Sequence, residues 1–216
     1  MTYFSQYEQD KILNCDIFRN MKNGIFCEVG SYDGIKGSNT YFFEKYLDWS
    51  GICIEPTPLF YKKLCQNRKA ITMQCCAYDR NVEKEFMAIS GKGEMLSGLV
   101  DKYNIYHTDR INKETVNSDK NIIDVRCIPL KRIFNDFDIT VVDYLSIDTE
   151  GSEINVLRGI DFEKVHINVI SVEDNYPWLQ ESGNVHSILI KNGFSFHKKI
   201  ICDKIYVNNN LKLSQV

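Results

Sequence analysis

The sequence predicts an α/β fold, a mostly parallel sheet with flanking helices and an antiparallel C-terminal hairpin. Three observations lead there. Short apolar runs alternate with amphipathic stretches of helical spacing from residue 24 onward. Glycine or proline turns separate them. Acidic residues recur where successive runs end. Crossover helices bury both faces of a parallel sheet, so its strands read as continuous apolar runs.

The elements follow in order. Residues 6–13 predict a short helix, packed on the body through Phe4, Tyr7, Ile12 and Leu13. Asn23-Gly24 breaks the chain, so residues 1–23 form a helical flank and residues 24–216 the main domain. The first strand spans 24–29. Residues 25–37, IFCEVGSYDGIKG, read as a buried strand, a tight turn and a helix start. Gly30 and Gly34 let the backbone pass where a Cβ would meet a ligand. Ser38, Asn39 and Thr40 supply caps for a helix over 41–47. A second strand at 51–54 stops at Glu55-Pro56. A helix follows over about 59–67, then a third strand over 71–77 that ends near Tyr78-Asp79.

Residues 82–89 predict a further strand. The stretch 90–121, glycine-marked at first and then rich in Asp, Asn and Lys, reads as a flexible insertion beside the site. Extended chain at 124–130 leads to a helix over 130–134. The fourth core strand, 141–148, opens into Thr149-Glu150-Gly151-Ser152-Glu153 and a helix that turns Ile154 and Leu157 inward. The fifth, 165–172, ends in Glu173-Asp174-Asn175. An amphipathic helix around 186–190 closes at Gly193. Residues 194–200 and 204–207 form the hairpin around Cys202-Asp203.

A chain of 216 residues with 44% hydrophobic and 25% charged residues is long enough for one well-filled core. The net charge of −3 argues against bulk polyanion binding. No apolar stretch has the length of a membrane span, and MTYFSQYEQD lacks a basic flank before an apolar run. A cytoplasmic protein is expected. The eight cysteines form no C-x-x-C pair and several lie in apolar runs, which predicts reduced, buried thiols. The four histidines are scattered, so no Cys/His metal knuckle is written.

Glu28, Asp33, Glu55, Asp79, Asp148, Glu150, Glu173 and Asp174 all stand at or just past strand ends. In an open parallel sheet the ligand crevice lies there. Glu55, about twenty residues past the glycine loop, is placed to accept both hydroxyls of a ribose. The loop departs from the G-x-G-x-x-G spacing of dinucleotide sites, and Glu28 beside it would repel a pyrophosphate. These electrostatics favour an adenosyl cofactor with a sulfonium, S-adenosyl-L-methionine, over NAD.

The chain resembles the FkbM-type methyltransferases, a branch of the class I S-adenosylmethionine-dependent enzymes with a Rossmann-like sheet. The matching segments are FCEVGSYDG at 26–34, WSGICIEPTP at 49–58, LSIDTEGSE at 145–153 and VLRGI at 156–160, then Val172-Glu173 and a late Gly193-Phe194 leading to Asp203. The resemblance implies that Glu28 and Gly30 cradle the methionine part of the cofactor, with Ser31, Asp33 and Gly34 of the same loop also binding it. It implies that Glu55 and Pro56 hold the ribose, and that Asp79, or the backbone around Ala77 and Tyr78, meets the adenine. Asp148 would lie near the sulfonium, with Glu150 and Glu173 facing the acceptor. Methylation of a hydroxyl on a small molecule or glycan is the implied activity.

An alcohol is a poor nucleophile, so a base must take its proton or a metal must lower its pKa. Asp148, Glu150 or Glu173 can act as the base. Asp148, Glu173 and Asn175 can instead hold Mg²⁺, since oxygen ligands suit that ion. His107 in the expected loop is a further candidate base, although a lone loop histidine usually reads as a surface residue. Three other functions compete: an NAD-dependent oxidoreductase, which fits the glycine spacing badly; a nucleic-acid 2′-O-methyltransferase using a patch of Lys62, Lys63, Arg68 and Lys69; and a noncatalytic binding protein, which leaves the strand-end acids without a task. Oligomeric state stays open.

Overall fold

The computed structural model describes residues 1–176 and 178–213, the side chains of 180–183 aside. The first elements are α1 (Gln9–Leu13), β1 (Ile25–Val29), α2 (Tyr41–Leu47), β2 (Ser50–Ile54) and α3 (Pro58–Asn67). Next come β3 (Ile71–Met73), β4 (Cys76–Tyr78), β5 (Val82–Ser90), β6 (Gly98–Leu99), α4 (Ile105–Glu114) and β7 (Asp119–Pro129). The chain continues through α5 (Leu130–Asp136), β8 (Val141–Ile147), α6 (Glu153–Arg158) and β9 (His166–Glu173). It closes with α7 (Gln180–Lys191), β10 (Phe194–Ile200) and β11 (Asp203–Asn208).

A seven-stranded sheet runs in the order β10-β11-β9-β8-β1-β2-β3. Its five-strand centre is parallel throughout, and β11 joins antiparallel to β9 and to β10. This is an α/β fold with the expected parallel core and terminal hairpin. Alternate residues feed two cores. Cys27, Ile52 and Leu145 face a layer with α5, α6 and α7, where Phe134, Leu157 and Leu189 are buried. Phe26, Cys53 and Tyr144 face the other layer, with Phe42, Phe43 and Leu64 of α2 and α3. The N-terminal flank packs on this second layer through Leu13, Ile17 and Phe18, and the expected Phe4, Tyr7 and Ile12 are partly buried against it.

Two expectations are corrected. The third strand is not one element. It splits at exposed Gln74 into β3, at the edge of the large sheet, and β4, in a second sheet of order β4-β7-β5-β6. An apolar run reads the same whether or not it changes sheets. The expected loop insertion at 90–121 carries the turn 94–96, β6, α4 and the start of β7. β7 pairs with β5 from Val82↔Cys127 to Ser90↔Asp119. Helix α4 has few apolar residues and buries only His107 and Ile111, so its period is faint in the sequence. All eight cysteines are free, and Cys27, Cys53, Cys75, Cys76 and Cys127 are buried. No helix among the described residues is long and apolar enough to cross a membrane. Residues 214–216 of the expected main domain lie outside the described residues.

The sheet has one reversal. From β1 the chain builds outward to β2 and β3, and from β8 it builds the other way to β9. Ligand crevices of parallel sheets lie at the carboxyl ends where the order reverses.

Candidate functional site

The turn after β1 is locked to the end of β8. Gly30 has φ +84°, and a Cβ there would stand 1.8 Å from the Asp148 carbonyl oxygen. Asp148 N donates to Val29 O at 3.0 Å, which ties the two strand ends together. Gly30 N and Ser31 N both donate to Ile54 O. Ser31 Oγ donates to Glu28 O and accepts from Ile54 N, so its hydroxyl serves the turn. Tyr32 N donates to Glu55 Oε2 at 3.0 Å, and Thr57 N to Glu55 Oε1 at 2.8 Å. Glu55 thus joins the glycine turn to the end of β2. Burial pushes its pKa up to about 7 against the opposing hydrogen bonds of Thr57 and Tyr32.

A cleft of about 440 Å³ opens over these strand ends. Gly30, Tyr32, Glu55, Pro56, Ala77, Asp148, Glu150, Glu173 and Asn175 line it. Phe60 lies against Tyr32, with ring centroids 4.3 Å apart. A small side pocket of about 30 Å³, lined by Glu28, Ser31, Ser38 and Asn39, shares Gly30, Asp148 and Glu173 with the cleft. The rest of the wall comes from residues the sequence did not single out, some of them in the insertion expected beside the site. Gln6 and Tyr7 come from the N-terminal flank, Glu94 to Leu96 from the turn before β6, and Arg110 from α4. Tyr32 Oη donates to Glu94, which fastens that turn over the β1 loop.

Several expected cofactor residues act at one remove. Glu28 accepts from Ser38 Oγ, Asn39 N and Thr40 Oγ1, and pairs with Arg68 at 3.0 Å. Its carboxylate is committed to the protein, and it shapes the side pocket by holding residues 38–40. Arg68 also pairs with Glu44 and is buried, which removes it from the basic patch expected around Lys62 and Lys63. Asp33 caps the turn by accepting from Ile35 N and Lys36 N. Gly34 packs toward Leu64 and Arg68. Asp79 accepts from Asn155 Nδ2 and Arg80 Nε. Asp33, Gly34, Tyr78 and Asp79 are outside the cleft lining, whereas Ala77 is in it.

The carboxylates of Asp148, Glu150 and Glu173 do converge. One oxygen from each lies within 4.8 Å of the others. The register explains the first pair, because Ile147 opposes Val172 and the residues that follow them along the chain are Asp148 and Glu173. Glu150 is swung in by a left-handed turn, φ 55° at Glu150 and 117° at Gly151. A Cβ on Gly151 would stand 2.9 Å from Lys102 O. Glu153 accepts from Thr149 N and Gly151 N and holds that turn.

Burial raises Asp148 to about 7, reinforced by the charge of Asp203 and opposed by the hydrogen bond with Glu173. Burial and the neighbouring Asp148 charge push Glu150 and Glu173 well above the usual carboxylate range. His107 is buried on α4 rather than exposed on a loop. Asn104 caps its helix turn by accepting from His107 N. Its Nδ1 stands 3.3 Å from Glu150 Oε2, while its Nε2 lies 3.4 Å from Leu96 O. Burial lowers its pKa, which favours the neutral ring. Glu150 Oε2 has no hydrogen-bond partner despite its burial. Three carboxylates with one unpartnered oxygen fit a hard divalent cation such as Mg²⁺, and Asn175 adds an amide oxygen to the wall.

An α/β sheet with an acidic ligand cleft at its switch point is the class that fold and site define. Residues 28–199 match the Methyltransferase FkbM domain. The chain belongs to the FkbM methyltransferase family. Among solved structures it is similar to the methyltransferase FkbM from Methylobacillus flagellatus KT, at 12% identity and a TM-score of 0.49, covering 87% of this chain and 44% of that one. A methyltransferase from Pyrococcus furiosus is similar at 10% identity and a TM-score of 0.38, covering 87% and 74%. The chain therefore spans less than half the length of the first. No curated protein matches it.

Proposed function

We propose that this chain is an S-adenosylmethionine-dependent O-methyltransferase, in a Rossmann-like domain, that acts on a hydroxyl of a small molecule or glycan. The observation that carries the reading is the meeting of Asp148, Glu150 and Glu173 in the same cleft as Glu55 and the Gly30 turn. Glu55, fixed by two backbone N–H groups, keeps lone pairs for ribose hydroxyls. Tyr32, Phe60 and Ala77 offer an apolar surface to a purine, and Asp148 an anion to a sulfonium. The cofactor, when bound, supplies an activated methyl group on sulfur.

The protein's part is to place a hydroxyl in line with that group and remove its proton. Positioning supplies much of the rate in such transfers. A carboxylate with a pKa near neutrality is a better base than an ordinary one, and Asp148, Glu150 and Glu173 are all raised. Mg²⁺ held by Asp148 and Glu173, with Glu150 or Asn175, would lower the hydroxyl pKa at the same place. Burial of Arg68 and the acidic wall count against a nucleic-acid acceptor.

Calorimetric titration with S-adenosylhomocysteine and, separately, NAD tests the reading. Saturable binding of the first and none of the second is expected. Glu55→Ala should weaken binding about tenfold or more, the loss of a buried charge-assisted hydrogen bond. Binding of NAD alone, or of neither, by folded protein would sink it.

A further inference from the structure

The four-stranded sheet gives Cys76, Phe86 and Leu99 to the wall of the cleft. Two cysteines meet in that sheet. β4 and β7 pair in parallel, and Cys76 stands opposite Cys127. Neighbouring strands lie about 4.8 Å apart. That spacing is inside the range of about 4.4–6.8 Å between the Cα atoms of bridged cysteines. Both side chains enter the same small cluster, with Tyr78, Phe86 and Leu99, so they leave the sheet on one face. Cys75 packs in a different core, with Cys27 and Ile54.

The two thiols differ in access. Cys76 is 8% exposed and lines the cleft, whereas Cys127 is fully buried and outside the lining. A hydrogen bond from Cys76 lowers the Cys127 pKa against its burial, with help from the charge of Lys84. The same bond, together with burial, pushes Cys76 well above the usual thiol range. The Cys127 thiolate is therefore a base held beside a thiol that a small molecule in the cleft can reach. Neither sulfur has a part in the proposed methyl transfer.

We propose that Cys76 and Cys127 are an oxidation site, at which hydrogen peroxide entering the cleft converts the pair to a disulfide, and that a ligand filling the cleft shields them. With Cys127 as thiolate, the Cys76 proton passes to it as the Cys76 sulfur attacks the peroxide. The O–O bond breaks, Cys76 becomes a sulfenic acid and hydroxide leaves. Cys127 returns its proton to that hydroxide, forming water, and attacks the Cys76 sulfur. The S–O bond breaks, a second hydroxide leaves and the disulfide is made. In sum, a thiol, a thiolate and a peroxide give a disulfide, one water and one hydroxide. The two sulfurs lose two electrons and the peroxide gains them. The site stands on the cysteine pair alone. Only the shielding rests on the methyltransferase reading, through the ligand that tests it.

Peptide mapping supplies the test. Full-length protein is treated with hydrogen peroxide, quenched by alkylation and digested with trypsin without reductant. The expected product joins residues 70–80 to residues 127–131 and is two hydrogen atoms lighter than the two thiol peptides together. Fragmentation should place the bridge at Cys76, and dithiothreitol should remove it. Cys76→Ala should abolish it without moving it to Cys75. Cys27 and Cys53, buried away from the cleft lining, should stay reduced. With S-adenosylhomocysteine at about ten times its Kd, the bridge should form about tenfold more slowly, since mass action leaves about a tenth of the clefts open. Three results would overturn the site: no bridge while the exposed Cys15 and Cys65 are oxidised, a bridge at Cys75 instead, or Cys27 and Cys53 reacting in step with Cys76 as the chain unfolds. An unchanged rate with the ligand bound would overturn the shielding. Failure of S-adenosylhomocysteine to bind in calorimetry would count against the methyltransferase reading, while the bridge is still decided by the peptides.

Discussion

Arg68 shows how much of the cleft depends on residues that never touch it. Its guanidinium pairs with Glu28 and Glu44 and donates to Gly34 O and Thr40 Oγ1, all below the β1 turn. Its side chain has no exposure, so Arg68→Ala leaves two buried carboxylates uncompensated. A loss of about 3–5 kcal/mol is expected, read by urea denaturation. A loss under about 1 kcal/mol, the range of surface pairs, would show that the network is not buried in solution. At this scale Glu55, Asp148 and Glu173 were legible because they end the parallel strands beside the reversal of the sheet, whereas Glu28 and Asp79, at strand ends too, turn to Arg68 and Asn155. The Glu28–Arg68 pair was not, since 40 residues separate its members, and in the sequence Glu28 reads as a cofactor ligand and Arg68 as part of a basic patch.

Helix α4 belongs to a different level of stability. It is anchored by Ile111, in a small cluster with Ile89 and Leu96 that stands apart from the two main cores. Ile111→Ala should remove about 2–5 kcal/mol locally. Hydrogen exchange is expected to quicken over residues 94–114 while β1 and β8 keep their protection, because distinct clusters open separately. Equal quickening in the central strands would show one cooperative unit. The sequence could not display this helix. Its buried face is only two residues wide, Ile105 and Tyr106 are exposed among its polar residues, and Asn104 caps its first turn. The break between β3 and β4 was hidden for a related reason, as each half is apolar enough for its own sheet.

For the whole molecule, gathered acids make the ligand-free fold sensitive to pH. Asp148 and Glu55 are raised to about 7, from ordinary values of 3.8 and 4.5, and Glu150 and Glu173 are raised too. The folded chain therefore holds protons that the unfolded chain releases. That stability is fully present below the unfolded values and is lost as pH rises through the folded ones, up to about 7. Cofactor-free protein should melt higher at about pH 6 than at about pH 8, and Glu150→Gln should flatten the difference. Calorimetry at the two pH values decides, and a flat or inverted profile in the parent would refute the linkage. What the sequence determined by itself was the local order: apolar runs that must be buried strands, glycines and prolines that must turn, and acids at strand ends. Periodicity and steric limits act within a few residues, so they can be read along the chain. Tertiary structure alone decided that Asp148, Glu150 and Glu173 share one place and that α4 brings His107 to Glu150. Those outcomes depend on strand order and on packing between segments tens of residues apart, and only the closed sheet brings such segments together.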